Sequence, residues 1–447
     1  MITYANATIN LAQSDFTEIA QHMYALMLRN IATDGFVFND PVTPGNLSLP
    51  GCVLAAPSFP QNTPGVDQDY VFNWVRDAAI TAMELVAADP LALPGGGVQQ
   101  LIDYVNFANT CYNNAVPTAD NPGVTKGHAC FTISGAPRPW TEQSDGPALQ
   151  TVAILLGFDL LDAPTQGVAE NLIANNLTYL LAQYQSQTTN LWEEHTGYSF
   201  FARAAQLRCF QMVQANTLGI AVPAGVNGAI AWLQNALSQH WNGQYYVSIL
   251  PPPVPFYDPN IDIVCAAIYG AIAVTDTKLL ATAALLRSQW SDAASPELYP
   301  INTADAAQGL GPLMGRYPGD VYDGDMGDAS LGDHPWALCT CNFAELYYTL
   351  ANEIDKANAV PYDALSAPFF AQVGVNNGTA SAATVSAALR NAGDAMLGAV
   401  IYHSDHLELS EQFDGTTGYE KSVRNLTWSY ASLLSAVRAK TGQHVEG

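Results

Sequence analysis

Basic side chains are scarce in this chain. Fifteen Lys and Arg stand against 40 Asp and Glu, a formal net charge of −25 over 447 residues. Nucleic-acid binding needs cations against phosphates and is not expected; adhesion to an anionic membrane surface is disfavoured for the same reason. A neutral polymer fits this charge. No run of about 18 apolar residues occurs, so no membrane span is expected. The opening Met1-Ile2-Thr3-Tyr4-Ala5-Asn6 lacks a basic stretch followed by an apolar one and does not read as a signal peptide. Few Lys, many Tyr and abundant Asn and Thr still point to a secreted or lumenal protein. There is no Cys-x-x-Cys pair, and seven Cys is an odd number, so at least one thiol is free or pairs outside the chain. Cys339-Thr340-Cys341 sits in an apolar context that fits a core or disulfide role. His195, His334, His403 and His406 show no metal-ligand spacing, so neither metal nor cofactor is expected.

What is present is enough apolar side chain for a large core: hydrophobic residues make up 49% of the chain. Their spacing is helical over 15–31, 74–88, 98–113, 145–161, 169–184, 197–215, 225–237, 262–274, 276–290, 336–354, 384–400 and 419–440. Asp15 is the expected cap of the first of these, with Glu18 completing a capping box, and Pro147 falls in a first turn, where its missing N–H does no harm. The run 245–250 is the best hairpin candidate; no strand series appears. Long loops follow mostly every second helix, at 36–70, 114–139, 186–192, 240–258, 292–334 and 401–418. Loops of such length in a compact domain are usually functional. Paired helices with long loops gathered at one end predict a helical barrel with a cleft, in a single domain spanning 1–447.

Two acidic stretches stand out on those loops. Leu191-Trp192-Glu193-Glu194-His195 places adjacent carboxylates behind a Trp, and Ser410-Glu411-Gln412-Phe413-Asp414 lies far downstream. Carboxylates carried on two loops and brought together by a fold meet the requirement for cleaving a glycosidic bond: an acid and a base flanking a sugar. Taken alone, Glu193 also fits an acidic helix start.

Five segments in order resemble the glucoamylases, glycoside hydrolase family 15. They are Tyr70-Val71-Phe72-Asn73-Trp74-Val75-Arg76-Asp77; Asp145-Gly146-Pro147-Ala148-Leu149; Leu191-Trp192-Glu193-Glu194 with Ser199-Phe200-Phe201; Gly315-Arg316-Tyr317-Pro318 with Asp320, Tyr322 and Pro335-Trp336; and Ser410-Glu411-Gln412 with Leu426-Thr427-Trp428-Ser429-Tyr430. The resemblance implies an all-α (α/α)6 barrel that needs no cofactor. It implies release of β-glucose from the non-reducing ends of starch and maltooligosaccharides, with inversion and more slowly at α-1,6 links.

The resemblance makes Glu193 the general acid and Glu411 the general base. Arg76, Asp77, Glu194 and Arg316 become sugar contacts, Gln412 a neighbour in the same network, and Tyr70, Trp74, Tyr322 and Trp336 stacking surfaces, with Trp192 sheltering the acid. Glu194 and Trp192 are expected to raise the Glu193 pKa, and an acidic pH optimum is expected. Two departures are visible. Asn190 stands where the family has Asp, and the family's Trp before Asp-Gly-Pro has no residue in register, leaving Trp140 as the candidate and the subsite beyond the scissile bond open. The acidic 320–333 loop carries hard oxygen ligands but not the spacing of an EF-hand. Sequons at Asn46 and Asn377 matter only where the host glycosylates. A monomer without a starch-binding domain or an N-terminal β-sandwich is expected, preferring soluble oligosaccharides to granules. The alternatives are a relative acting on another linkage (a glucodextranase, or an isomaltose or trehalose hydrolase) and a catalytically silent carbohydrate-binding protein.

Overall fold

The structure is a computed structural model that describes residues 16–58, 68–88, 97–324 and 332–442. Its helices, in chain order, are α1 (Thr17–Leu28), α2 (Val75–Ala87), α3 (Val98–Asn114), α4 (Asp145–Gly157), α5 (Ala163–Gln183), α6 (Phe200–Ala215), α7 (Val226–Ser238), α8 (Asp262–Ile268), α9 (Thr277–Ser291), α10 (Pro300–Ala306), α11 (Ala337–Ala357), α12 (Ala367–Ala371), α13 (Ala382–His403) and α14 (Thr427–Thr441). Six of them form a closed ring: α2 packs on α4, α4 on α6, α6 on α8, α8 on α11, α11 on α14, and α14 back on α2. A second ring surrounds it, with α3 on α2, α5 on α4, α7 on α6, α9 on α8, α13 on α11 and α1 on α14. This double ring is the (α/α)6 barrel, and the fold is all-α.

The sequence explains which helix goes where. A helix enclosed on every side cannot keep a polar stripe for water. Accordingly α14 buries every residue from Thr427 to Ala439, and its polar members are mostly small Ser and Thr that fit between neighbours. By contrast α5 keeps Glu170, Asn171 and Asn175 toward solvent and buries Leu172, Ile173, Leu177 and Leu180. Charges inside the ring must be paired, because an unpaired buried charge is strongly destabilising. Arg438 on α14 therefore grips both carboxylate oxygens of Glu84 on α2, one at 2.5 Å, at the point where the ring closes. The segment after α1 is tied to the start of α14: Asn30 Nδ2 donates to Thr427 Oγ1 at 2.8 Å.

Several expected boundaries move, each for a local reason. The first helix starts at Thr17 with Phe16 in the cap position, in the left-handed region at φ 62° and without a side-chain cap; Asp15 precedes that position and lies outside the described residues. The 197–215 run is not helical from its start. Strand Thr196–Ser199 comes first, and the helix begins only where the Ser199 side chain accepts from Ala202 N at 3.3 Å. The 262–274 helix stops at Ile268, because Gly270 lies against the α6 backbone and Ala271 N donates to Ala204 O at 3.1 Å. The 419–440 run opens as a short strand at Glu420–Lys421 and turns helical only at Thr427. Of the hairpin candidate, only Ile249–Leu250 is a strand, and it pairs with Ser199 and Tyr198 rather than within 245–250. The short helices at Pro300–Ala306 and Ala367–Ala371 were not expected. All seven Cys are buried free thiols, so the core reading of Cys339 and Cys341 holds and none is a disulfide partner here. Among the described residues no helix is long and apolar enough to cross a membrane.

Short antiparallel ribbons tie the loops at one end of the barrel. In chain order the strands are β1 (Asn73–Trp74), β2 (Cys130–Phe131), β3 (Thr188–Thr189), β4 (Thr196–Ser199), β5 (Ile249–Leu250), β6 (Gln412–Phe413) and β7 (Glu420–Lys421). β1 pairs with β2, β4 lies between β3 and β5, and β6 pairs with β7. They lie close to the first turns of α2, α6 and α14, and there the candidate residues gather.

Candidate active site

A cavity of about 370 Å³ opens at the end of the barrel where the inner helices begin. Its wall contains Tyr70, Trp74, Arg76, Asp77, Trp192, Glu193, Glu194, Arg316, Tyr322, Trp336 and Glu411, eleven of the twelve residues singled out from sequence. Trp428 also lines it and donates through Nε1 to the Tyr269 hydroxyl at 3.3 Å, both side chains being buried.

Glu193 and Glu194 point to different walls. Between them the chain turns sharply: Glu193 has φ 65°. A non-glycine residue in that region is strained unless its surroundings hold it, and such residues cluster at functional sites. Asn190 does the holding. Its Oδ1 accepts from the backbone N–H of both Glu194 and His195, each at 3.0 Å, and its Nδ2 donates to the Tyr257 hydroxyl. The Asn found where the resemblance leads one to expect Asp is therefore a loop clamp whose amide donor is in use.

On one wall, Glu193 Oε2 accepts from the indole N–H of Trp140 at 2.8 Å, and Oε1 lies 3.5 Å from Arg76 Nη2. Burial raises the Glu193 pKa above its ordinary value; Arg76 and the Trp140 bond oppose this, while Asp77 and Asp145 add to it. The expected influence of Glu194 is replaced by that of these two aspartates, because Glu194 faces the other way. There it accepts from Arg316 Nη2 at 2.9 Å, from the Tyr317 hydroxyl at 2.9 Å and from the Tyr257 hydroxyl at 3.2 Å. Arg316 is held by a fork to Asp320, 2.7 and 2.6 Å, within a box of Trp192, Tyr317, Tyr322 and Trp336 rings.

Glu411 lines the same cavity, fed by three hydroxyls: Tyr70 at 3.1 Å, Tyr322 at 3.1 Å and Ser422 at 2.5 Å. Burial pushes its pKa up to about 7 against these donors and against Arg316. The fit around it is close: a Cβ on Gly324 would lie 1.8 Å from Ser422 Oγ, so only glycine fits there. A hydrogen bond to a carboxylate favours its ionised form. Ser422→Ala is therefore expected to raise the Glu411 pKa further and to move the acidic limb of the kcat/KM pH profile upward by about one pH unit. A profile unchanged in Ser422→Ala would detach that limb from Glu411.

Gln412 is the one candidate that does not reach the cavity. It is fully buried behind Glu411, where its amide accepts from Gly324 N at 3.1 Å and donates to Tyr322 O at 3.0 Å. It holds the Tyr322 loop rather than a ligand. The residue behind Glu411 faces the other side of β6, as alternation along a strand requires. Trp140, left open by its register, does line the cavity, as do Arg138, Gln68 and Asp69. Arg138 and Trp140 are two apart, the spacing that puts neighbours on one face of an extended segment, and that was the available signal.

The wall also carries polar atoms that the protein leaves without a hydrogen-bond partner: Arg76 Nε, Asp77 Oδ2, Glu193 Oε1 and Trp336 Nε1. Buried polar groups are normally satisfied. The charged side chains that line the cavity, beside Trp and Tyr faces, suit a polyhydroxylated ligand with apolar C–H faces. Among the described residues no group of three His, Cys, Asp or Glu is placed to hold a metal ion, and most of the central part of the 320–333 loop lies outside them.

A family model described as "Glycosyl hydrolases family 15" matches residues 21–438. Similar curated proteins include a "Glucoamylase" of Blastobotrys adeninivorans, 28% identical over 91% of this chain and 69% of its own length. A "Probable glucoamylase" of Schizosaccharomyces pombe is 26% identical over 92% of this chain and 88% of its own. Among solved structures, a glucoamylase from Saccharomycopsis fibuligera has a TM-score of 0.79 at 22% identity, covering 99% of this chain and 98% of that one.

Proposed function

The chain belongs to family 15 of the glycosyl hydrolases, and from that premise we propose that it is an exo-acting glucoamylase. It releases β-glucose from the non-reducing ends of α-1,4-glucans and cleaves α-1,6 links more slowly. The observation that carries this reading is the pair of carboxylates lining one cavity, each with its own hydrogen-bond donors and neither bonded to the other's partners.

In this reading Glu193 protonates the glycosidic oxygen. Its raised pKa keeps a proton available, and the Trp140 N–H aims its carboxyl. Glu411, ionised, takes a proton from the water that attacks the opposite face of the sugar, which gives inversion. Its three hydroxyl donors orient the carboxylate and offset part of the cost of burying the charge. Arg76 and Asp77 hold hydroxyls of the terminal glucose at the pocket floor. Glu194 and Arg316 hold others from the far wall, and Trp74, Tyr322 and Trp336 pack on the sugar faces. Rate rises as pH passes the Glu411 pKa and falls where Glu193 loses its proton. Burial raises both, so the optimum lies above the range of ordinary carboxylates and is displaced from the acidic optimum expected from sequence toward neutral pH.

Proton NMR of maltotetraose in the first minutes of digestion tests this. Early β-glucose with maltotriose as co-product supports it; α-glucose first, internal cleavage or no release would overturn it. Digests of isomaltose, dextran and trehalose rank the linkages, and measurable maltose binding without turnover would favour the silent binding protein.

A further inference from the structure

We propose that Arg138 is a positioning residue for Glu193, acting through the indole of Trp140. The proposal rests on the acid role given to Glu193 above. Residues 128–142 form a hairpin, with bridges between His128 and Glu142 and between Phe131 and Pro137. Its first arm pairs with β1, Cys130 facing Trp74. Its second arm returns alongside, Arg138 N donating to Cys130 O at 3.1 Å. Phe72 and Trp74 on one strand and Arg138 and Trp140 on the other share a face, as alternation along extended segments dictates. Between Trp74 and Arg138 the middle strand carries Cys130, a small side chain, so the long Arg138 side chain can lie across it.

The result is a stack. The Arg138 guanidinium carbon lies 3.9 Å from the centre of the Phe72 ring and 4.5 Å from that of Trp140. Trp74 meets Trp140 edge-on at 5.7 Å and 88°. Trp140 is otherwise poorly held for a residue with a catalytic partner: it stands on the cavity rim, 41% exposed. Yet its N–H must reach Glu193 Oε2 at 2.8 Å. The guanidinium covers one indole face and the Trp74 contact limits rotation of the ring, so the direction of the N–H bond is set by Arg138. A planar cation does this where Lys cannot, because Lys presents a point charge without a stacking plane.

The effect on Glu193 passes through Trp140 because other charges already crowd the acid itself. Arg76 and Asp77 face it from α2 and Asp145 from α4, while Asp69 is the acidic neighbour of Arg138. A structural role alone would lower turnover of every substrate alike. A role in aiming the acid affects only substrates whose leaving group needs a proton.

The test compares wild type with Arg138→Ala, Arg138→Lys, Trp140→Phe and the Arg138→Ala/Trp140→Phe double variant, on maltotriose and on α-D-glucosyl fluoride, which expels fluoride without a proton. Arg138→Ala is expected to lower kcat on maltotriose about tenfold while fluoride hydrolysis stays within about twofold of wild type. Arg138→Lys falls between. In the Trp140→Phe background the Arg138→Ala change adds nothing, because the two residues act in one chain. Equal losses on both substrates, additive losses in the double variant, or an unchanged kcat would each overturn the proposal. A readout independent of turnover separates this from the enzymatic reading, whose own failure shows as absent glucose release by wild type. The Trp140 indole N–H resonance, assigned by its disappearance in Trp140→Phe, is expected to exchange faster with solvent in Arg138→Ala. An unchanged resonance overturns the positioning role.

Discussion

Glucose release from maltotriose by the Glu193→Gln variant is expected to fall by about 10³-fold, roughly 4 kcal/mol of transition-state stabilisation. Hydrolysis of α-D-glucosyl fluoride is expected to fall by less than about tenfold. The amide keeps the size of the carboxyl and can still accept from the Trp140 indole, so the pocket survives while the transferable proton is lost. The split between substrates is the informative part. Glu193 is the carboxyl beside the pocket rim, at 18% side-chain exposure, with a pKa raised by burial; in the proposed mechanism it serves the leaving oxygen. Parallel losses on both substrates would move the acid role elsewhere, and Asp77 would be the next candidate, since burial raises its pKa as well.

Glu411→Gln is expected to lower turnover of both substrates by about 10³-fold, because water must be activated whatever leaves. It should also remove the acidic limb of the pH profile, which in wild type reflects a carboxyl raised to about 7. The sign follows from the role. A base works only when ionised, so activity is lost as pH falls through its pKa; without a titrating group that loss has no cause. Near neutral pH the variant should unfold at a temperature no lower than wild type, since a buried group that resists ionisation is replaced by a neutral one. A Glu411→Gln variant that retains full activity, or that spares the fluoride, would remove Glu411 from the base role.

Much of this site was legible before any coordinates. Glu193, Glu411, Arg76, Asp77 and Arg316 lie in short segments whose order along the chain matches the family, and the cavity gathers them. Helical periodicity located most of the ring helices, because burial against a partner imposes the 3.6-residue repeat wherever a polar side remains. It placed starts and ends poorly. Ser199 and Gly270 decide them through a single cap or a single close approach, and neither leaves a periodic trace. Composition spoke plainly on charge and less so on cysteine, since whether a thiol pairs depends on its neighbours in space.

The sequence by itself determined the kind of site: two carboxylates on distant loops, forked cations and aromatic rings, on a chain too acidic for nucleic acid. Only the tertiary structure decided which way each group faces. Glu193 and Glu194 are adjacent in sequence yet serve opposite walls because of one left-handed residue and an Asn190 clamp. Gln412 follows Glu411 directly yet turns behind it. Arg138, Trp140 and Glu193 come from two loops and meet at 2.8–4.5 Å. Residue types and their order are local properties of the chain. Direction and proximity come from how the helix ring closes, and that depends on every packed face at once.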